Sequence, residues 1–180
     1  MSGGGEEIRG RMERFYRELE EELAPLRRRH AARLRCGPGC AACCVDGLTV
    51  FPVEAEMIRR RHAALLERGG PGPAGGCAFL DGRGRCRIYE NRPYVCRTQG
   101  LPLRWIETGP EGVPVEMRDI CRLNEEGPPV ESLDADACWT LGPFEGTLAG
   151  IQAAADGGES PRVPLRSLFR RNGEERVAPE

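Results

Sequence analysis

Four of the nine cysteines fall within nine residues, Cys36-Gly37-Pro38-Gly39-Cys40-Ala41-Ala42-Cys43-Cys44. Gly37, Pro38 and Gly39 stop any helix and let the backbone curl. A curled backbone carrying several thiols is how a short segment wraps a metal ion or a small cluster. This loop constrains the rest of the chain more than any other stretch. The remaining elements must either complete a thiol-lined site or leave four cysteines clustered to no purpose.

Composition agrees with a fold that needs a staple. The 180 residues suit one domain with a tail, the apolar fraction is 39%, and charged residues reach 30%. Glycine (24) and proline (15) together exceed a fifth of the chain, so much of it is loop. A small, loop-rich domain of this kind usually relies on disulfides or metal. All 26 basic residues are arginine, which excludes Schiff-base and lysine general-base chemistry. The net charge of −2 gives no global field toward nucleic acid or an anionic membrane. The arginines alternate with acids and lack an aromatic platform, so no nucleic-acid partner is expected. No apolar run approaches the ~20 residues of a membrane helix. Met1–Glu7 is glycine-rich and acidic, unlike a secretory signal, which makes a reducing cytoplasm the expected compartment. There, clustered thiols are more often metal-binding or redox-active than disulfide-bonded, and an odd count fits a closed disulfide set poorly.

The pattern predicts an α+β fold: a small single domain with two N-terminal helices, short hairpins and a cysteine-rich metal site. Ile8, Met12, Phe15, Leu19, Leu23, Leu26 and His30 make one apolar stripe of a helix over 6–35, with a kink or break near Ala24 imposed by Pro25. His30 and His62 read as packed helix residues rather than ligands. A short strand over 47–51 leads to a second helix over 52–68, opened by Pro52 and closed by Gly69-Gly70. After a Gly/Pro linker, Asp81-Gly82 signals a hairpin. A two-residue loop there would place Cys77 directly opposite Cys86, with β-carbons ~5 Å apart; a longer loop through Gly84 would shift that register. Pro93 is expected to open a short helix with Cys96 in its first turn, where the helix N-terminus, Arg92 and Arg97 would favour thiolate. A second hairpin is expected from 101–107 and 113–117, with Trp105 as its main apolar contribution, and short helices over 131–141 and 144–154. The organisation expected is an N-terminal helical segment (1–35), a cysteine-cluster domain (36–155) and a disordered tail (156–180), which Leu165, Leu168 and Phe169 could dock locally.

Buried structural thiols explain Cys121 or Cys138, but not four thiols in a loop and two across a hairpin. Zinc takes four ligands, usually two pairs from separate knuckles, and iron–sulfur clusters also take four thiolates. The adjacent Cys43-Cys44 pair and the surplus of thiols favour iron over zinc. Neighbouring side chains tend to diverge, so Cys43 and Cys44 suit two metals, or one metal and a spare thiol, better than one simple zinc knuckle. Cys36, Cys40 and Cys43 also spell the C-x3-C-x2-C spacing of radical S-adenosylmethionine enzymes. A charged helix precedes the motif here, Ala42 replaces the usual aromatic, and the chain is short for a barrel of ~200 or more residues.

With these residues in view, the chain resembles the cysteine-cluster family called YkgJ or CxxCxxCC, a zinc- or iron-chelating domain. The resemblance rests on Cys36 to Cys44, on Cys77-Ala78-Phe79-Leu80, and on Cys86-Arg87-Ile88-Tyr89-Glu90-Asn91-Arg92-Pro93-Tyr94-Val95-Cys96-Arg97, which is similar to C-x-I-Y-x-x-R-P-x-x-C-R. The first gap holds three residues where the family name implies two. The resemblance implies metal binding by Cys36, Cys40, Cys43, Cys44, Cys77, Cys86 and Cys96, with Cys121 or Cys138 as an eighth ligand and Cys121 preferred. A similar cluster in bacterial flagellin lysine methylases gives an alternative: an iron–sulfur protein working with S-adenosylmethionine in protein modification. A thiol redox or metal-delivery protein is a third reading.

Overall fold

The computed structural model describes residues 3–158 and 160–169. Its first element, α1 (Gly3–Arg29), buries Met12, Phe15, Leu19 and Leu23 along one stripe, as the three- and four-residue spacing predicts. The helix runs unbroken through Pro25 and stops at Arg29 rather than 35. The chain then turns, and His30 is buried with its Nε2–H donating to the carbonyl of Ala137 at 2.7 Å. It is a packed residue, as expected.

β1 (Thr49–Val50) leads into α2 (Pro52–Arg61), followed by α3 (Ala63–Arg68). The expected single helix over 52–68 is thus interrupted at His62, whose φ of −125° is not helical. Proline occupies the first position of α2, and the Glu54 carboxylate accepts the Phe51 N–H at 3.1 Å, closing one orphan donor of the helix start.

β2 (Leu103–Thr108) and β3 (Pro114–Asp119), with α4 (Tyr94–Thr98) preceding them, form the second expected hairpin. Trp105 pairs with Met117. Trp105 is only partly buried, and Leu103 is the residue of β2 that enters the core. The helix expected over 131–141 is absent. Two single 3₁₀ turns (Val130–Ser132 and Ala135–Ala137) take its place, and then β4 (Trp139–Thr140) adds in parallel to β2. Tertiary pairing overrides local helix propensity here: the Trp139 N–H donates to Pro102 O at 2.7 Å, and the indole seats in the core.

α5 (Pro143–Asp156) packs along α1 and ends at Gly157, whose φ of +82° is the left-handed conformation of a helix stop. The expected disorder of 156–180 does not hold for 160–169. β5 (Val163–Pro164) pairs antiparallel with β1, and Leu165, Leu168 and Phe169 are buried, as their apolar character suggested. Residues 170–180 lie outside the described residues.

Two apolar clusters result. One joins α1, α5 and the β2–β4 sheet around Phe15, Leu19, Tyr94 and Trp139. The other joins α2 and α3 to the C-terminal segment around Phe79, Ile88, Leu165 and Phe169, and it reaches Cys77, with Cys44 and Cys86 at its margin. The second cluster is the floor on which the cysteine loops sit. The architecture is α+β. No helix among the described residues is long and apolar enough to cross a membrane.

Candidate metal centre

The loop after α1 curls as its glycines allow. Gly39 takes a φ of +95°, the Cys40 N–H closes a turn onto Gly37 O, and the Cys44 N–H closes another onto Ala41 O, both at 3.0 Å. These turns send successive thiols inward. The second thiol-bearing segment is joined to the first through its backbone: Cys77 N–H donates to Cys44 O at 2.9 Å, and Val45 and Gly76 form an isolated β-bridge.

The register expected at Asp81-Gly82 is corrected. Asp81 Oδ1 accepts the backbone N–H groups of Arg83 and Arg85 at 2.9 and 2.8 Å, and Gly84 adopts a φ of +72°. This aspartate-centred turn lengthens the loop through Gly84, so Cys86 stands opposite Leu80 rather than Cys77. Cys77 and Cys86 still reach a common space, from the two ends of the hairpin rather than from one rung.

That space is a cavity of about 320 Å³ lined by Cys36, Cys40, Cys43, Cys44, Cys77, Cys86 and Cys96. All seven cysteines of the motif, drawn from three segments of sequence, therefore face one volume. Arg92 also lines it, stacked 3.8 Å from the Tyr89 ring centroid with its Nε–H donating to Tyr89 O at 2.9 Å. Among the described residues no group of three or more Cys, His, Asp or Glu side chains stands in a ready coordination arrangement. The convergence is on one cavity rather than on a finished coordination polyhedron. Among the described residues none of the nine cysteines is in a disulfide.

Electrostatics describe the same gathering. Burial pushes the Cys96 thiol up to about 12, helped by the negative charge of Cys77, Cys86 and Cys43 and opposed by Arg92. The expectation that a helix start and two arginines would favour thiolate at Cys96 is thus overturned. α4 is only five residues long, the thiol is desolvated, and Arg97 turns away to pair with Glu20 at 2.6 Å. Burial likewise raises Cys77, Cys86 and Cys36. The adjacent Cys43 and Cys44 both line the cavity, and their mutual interaction lowers the Cys43 thiol and raises that of Cys44.

The donor set fits a thiophilic cation. Several buried thiols that repel one another as thiolates are stabilised together only by positive charge placed among them. In the metal-free site burial holds Cys36, Cys77, Cys86 and Cys96 toward the protonated form. Loading a metal onto the protonated thiols should release a positive number of protons, and affinity should rise with pH. Calorimetric titration with zinc in two buffers of different ionisation enthalpy measures that number; a value near zero would contradict the arrangement.

Cys121 does not line the cavity, although its carbonyl accepts the N–H of Asn124, whose side chain reaches Cys36 Sγ. Cys138 lines a different pocket with Trp139 and Phe144, its sulfur 4.0 Å from Arg118 Nη1. Of the two candidates for an eighth ligand, only Cys121 neighbours the cluster.

Sequence reasoning missed Arg166. It donates to Asp46 Oδ1 (2.9 Å) and to the carbonyls of Gly72 (2.9 Å), Pro73 (3.1 Å) and Gly76 (2.8 Å). The C-terminal segment thereby clamps the Cys44 and Cys77 loops together. The buried Leu165 and Leu168 beside it were the one local sign that this stretch docks. Arg166→Met keeps the stem and removes the donors. It should weaken metal affinity by about tenfold, the lower end for loss of a supporting contact, as measured by competition with a chromophoric chelator.

The fold and the cavity define a small α+β domain with a cysteine-lined interior site. Residues 35–109 match the model of the CxxCxxCC family, described as "Putative zinc- or iron-chelating domain", and the resemblance read from the cysteine spacing is borne out over that stretch. The match takes in the seven cavity cysteines and leaves Cys121 and Cys138 outside it. No curated protein and no solved structure matches the chain.

Proposed function

We propose that the protein chelates zinc or iron, the latter as an ion or an iron–sulfur cluster, through Cys36, Cys40, Cys43, Cys44, Cys77, Cys86 and Cys96, with Cys121 as an eighth thiol. The observation that carries this reading is the convergence of seven cysteines from three segments on one cavity. One tetrahedral ion or one cluster takes four thiolates, so the set has room for two metal positions or for one with thiols to spare. That surplus favours iron. A reducing compartment such as the cytoplasm would keep these thiols available. Elemental analysis and visible absorption of anaerobically purified protein test the choice of metal. Sulfide-to-iron charge-transfer bands with stoichiometric iron identify a cluster, colourless protein with stoichiometric zinc identifies zinc, and protein free of both refutes the proposal.

The seven thiols on one cavity, more than the four that one metal takes, support a second reading, a thiol redox or metal-delivery protein. Cys43, whose thiol is lowered by its interaction with Cys44, would have the character of a reactive cysteine if it is not a ligand. The two readings part on one measurement: a redox thiol stays open to alkylation in the metal-loaded protein, whereas a ligand is protected.

A further inference from the structure

Asn124 is fully buried, lies beyond the family-matched stretch, and spends its whole side chain on Arg35, Cys36 and Gly100. Its Oδ1 accepts the Arg35 N–H at 2.8 Å. Its Nδ2 donates to Gly100 O at 2.7 Å and to Cys36 Sγ at 3.2 Å. The amide cannot be turned over, because Arg35 offers only a donor and Gly100 only an acceptor. Its backbone is fixed as well: the N–H donates to Cys121 O at 2.7 Å, and the carbonyl accepts Arg33 Nε at 2.8 Å. Gly100 completes the seat. It holds a φ of +94°, and a β-carbon there would stand 2.4 Å from Cys36 Sγ. Glycine is required both for the backbone and for the space the sulfur occupies.

We infer that Asn124 is a positioning residue of the metal centre: its amide fixes the Cys36 sulfur against Gly100, so that Cys36 enters the site as an oriented, hydrogen-bonded thiolate. An N–H donor on a ligating sulfur sets the direction of its lone pairs and tunes the metal it binds. Residues 121–124 thereby act on a centre whose thiols come from elsewhere. This inference rests on the metal-chelating reading above.

The test titrates cobalt(II), a thiophilic ion with a visible thiolate charge-transfer band, into chelator-stripped full-length protein under anaerobic reducing conditions. The variants are Asn124→Ala, Asn124→Asp, Gly100→Ala, Cys36→Ser and the double variant N124A/C36S. Aspartate keeps the size and the acceptor for Arg35 but cannot donate to sulfur. Asn124→Ala and Asn124→Asp should each weaken cobalt binding by about tenfold and shift the charge-transfer band, and Gly100→Ala should do the same by displacing the sulfur. In the Cys36→Ser background, Asn124→Ala should add nothing. An equal loss with and without Cys36 would make Asn124 merely structural and overturn the inference. Wild-type protein that binds cobalt while Asn124→Asp binds with unchanged affinity and spectrum would overturn it alone. Wild-type protein that takes up no cobalt would overturn the chelation reading and this inference together. If Asn124→Ala does not fold, Asn124→Asp and Gly100→Ala decide the outcome.

Discussion

Replacing Cys86 with serine should strip the protein of most of its bound metal, and Cys40→Ser should do the same from another of the three segments that line the cavity. The expected loss in affinity exceeds the ~10–100-fold typical of a lost supporting contact, because a donor atom itself is removed. Cys138→Ser is the matched control. Its sulfur lies in a separate pocket beside Arg118, so metal content should not change. The effect should extend to the fold. The cavity is lined by Phe79, Ile88 and Leu165 of the second apolar cluster, so the metal's binding free energy adds to the stability of that half of the domain. Metal present at about a thousand times its dissociation constant contributes ~4 kcal/mol. At roughly 2–4 °C per kcal/mol for a chain of this size, chelation should lower Tm by about 10 °C. Calorimetry of loaded, chelated and Cys86→Ser protein measures this, with the last two expected to coincide.

Glu54→Ala should be the most damaging substitution outside the thiols. Glu54 is 2% exposed, yet its carboxylate is the junction of three elements. It accepts the Tyr16 hydroxyl of α1 at 2.8 Å, the Tyr94 N–H at the start of α4 at 2.9 Å, and the Phe51 N–H before α2 at 3.1 Å. Burial raises its pKa, and these three bonds oppose the shift. Alanine leaves two backbone donors and one hydroxyl without a partner in the interior. At ~1–3 kcal/mol for each stranded group, less the relief of a buried charge, the net cost should be about 3 kcal/mol. Urea unfolding measures it, with Tyr16→Phe as a companion expected to lose about 1 kcal/mol. A Glu54→Ala cost below that of Tyr16→Phe would show that the junction does not hold the helices together. Because α4 carries Cys96, the Glu54 variant should also bind metal less tightly.

What the sequence announced and what it hid follow from how local each signal is. The α1 stripe and the start of α2 at Pro52 were legible because helical period and capping chemistry act within a few residues. The thiol-rich character of the site was legible too, since spacing and residue type carry it. The pairing of Cys86 was not, because it turned on whether Asp81 would gather the N–H groups of Arg83 and Arg85 into a longer loop. β4 falls in a stretch whose local pattern predicts helix, because its partner, β2, lies more than thirty residues upstream. Composition predicts a mostly disordered 156–180, with Leu165, Leu168 and Phe169 as its only sign of docking. Their docking depends on a strand contact with Thr49 and Val50 and on carbonyls near Cys77 that Arg166 reaches across more than ninety residues. Asn124 had no local signal at all. Its role appears only once Arg35, Cys36 and Gly100 are brought to it.

The central claim is that cysteines from three segments act as one centre, and thiol footprinting tests it most directly. Metal-loaded and chelated protein are alkylated under anaerobic conditions, and each cysteine is mapped by mass spectrometry. At least four of Cys36, Cys40, Cys43, Cys44, Cys77, Cys86 and Cys96, drawn from more than one segment, should be protected in the loaded protein and become reactive together on chelation, while Cys138 behaves alike in both. Reactivity of these seven that is the same with and without metal, or protection confined to the Cys36–Cys44 loop, would contradict a shared site.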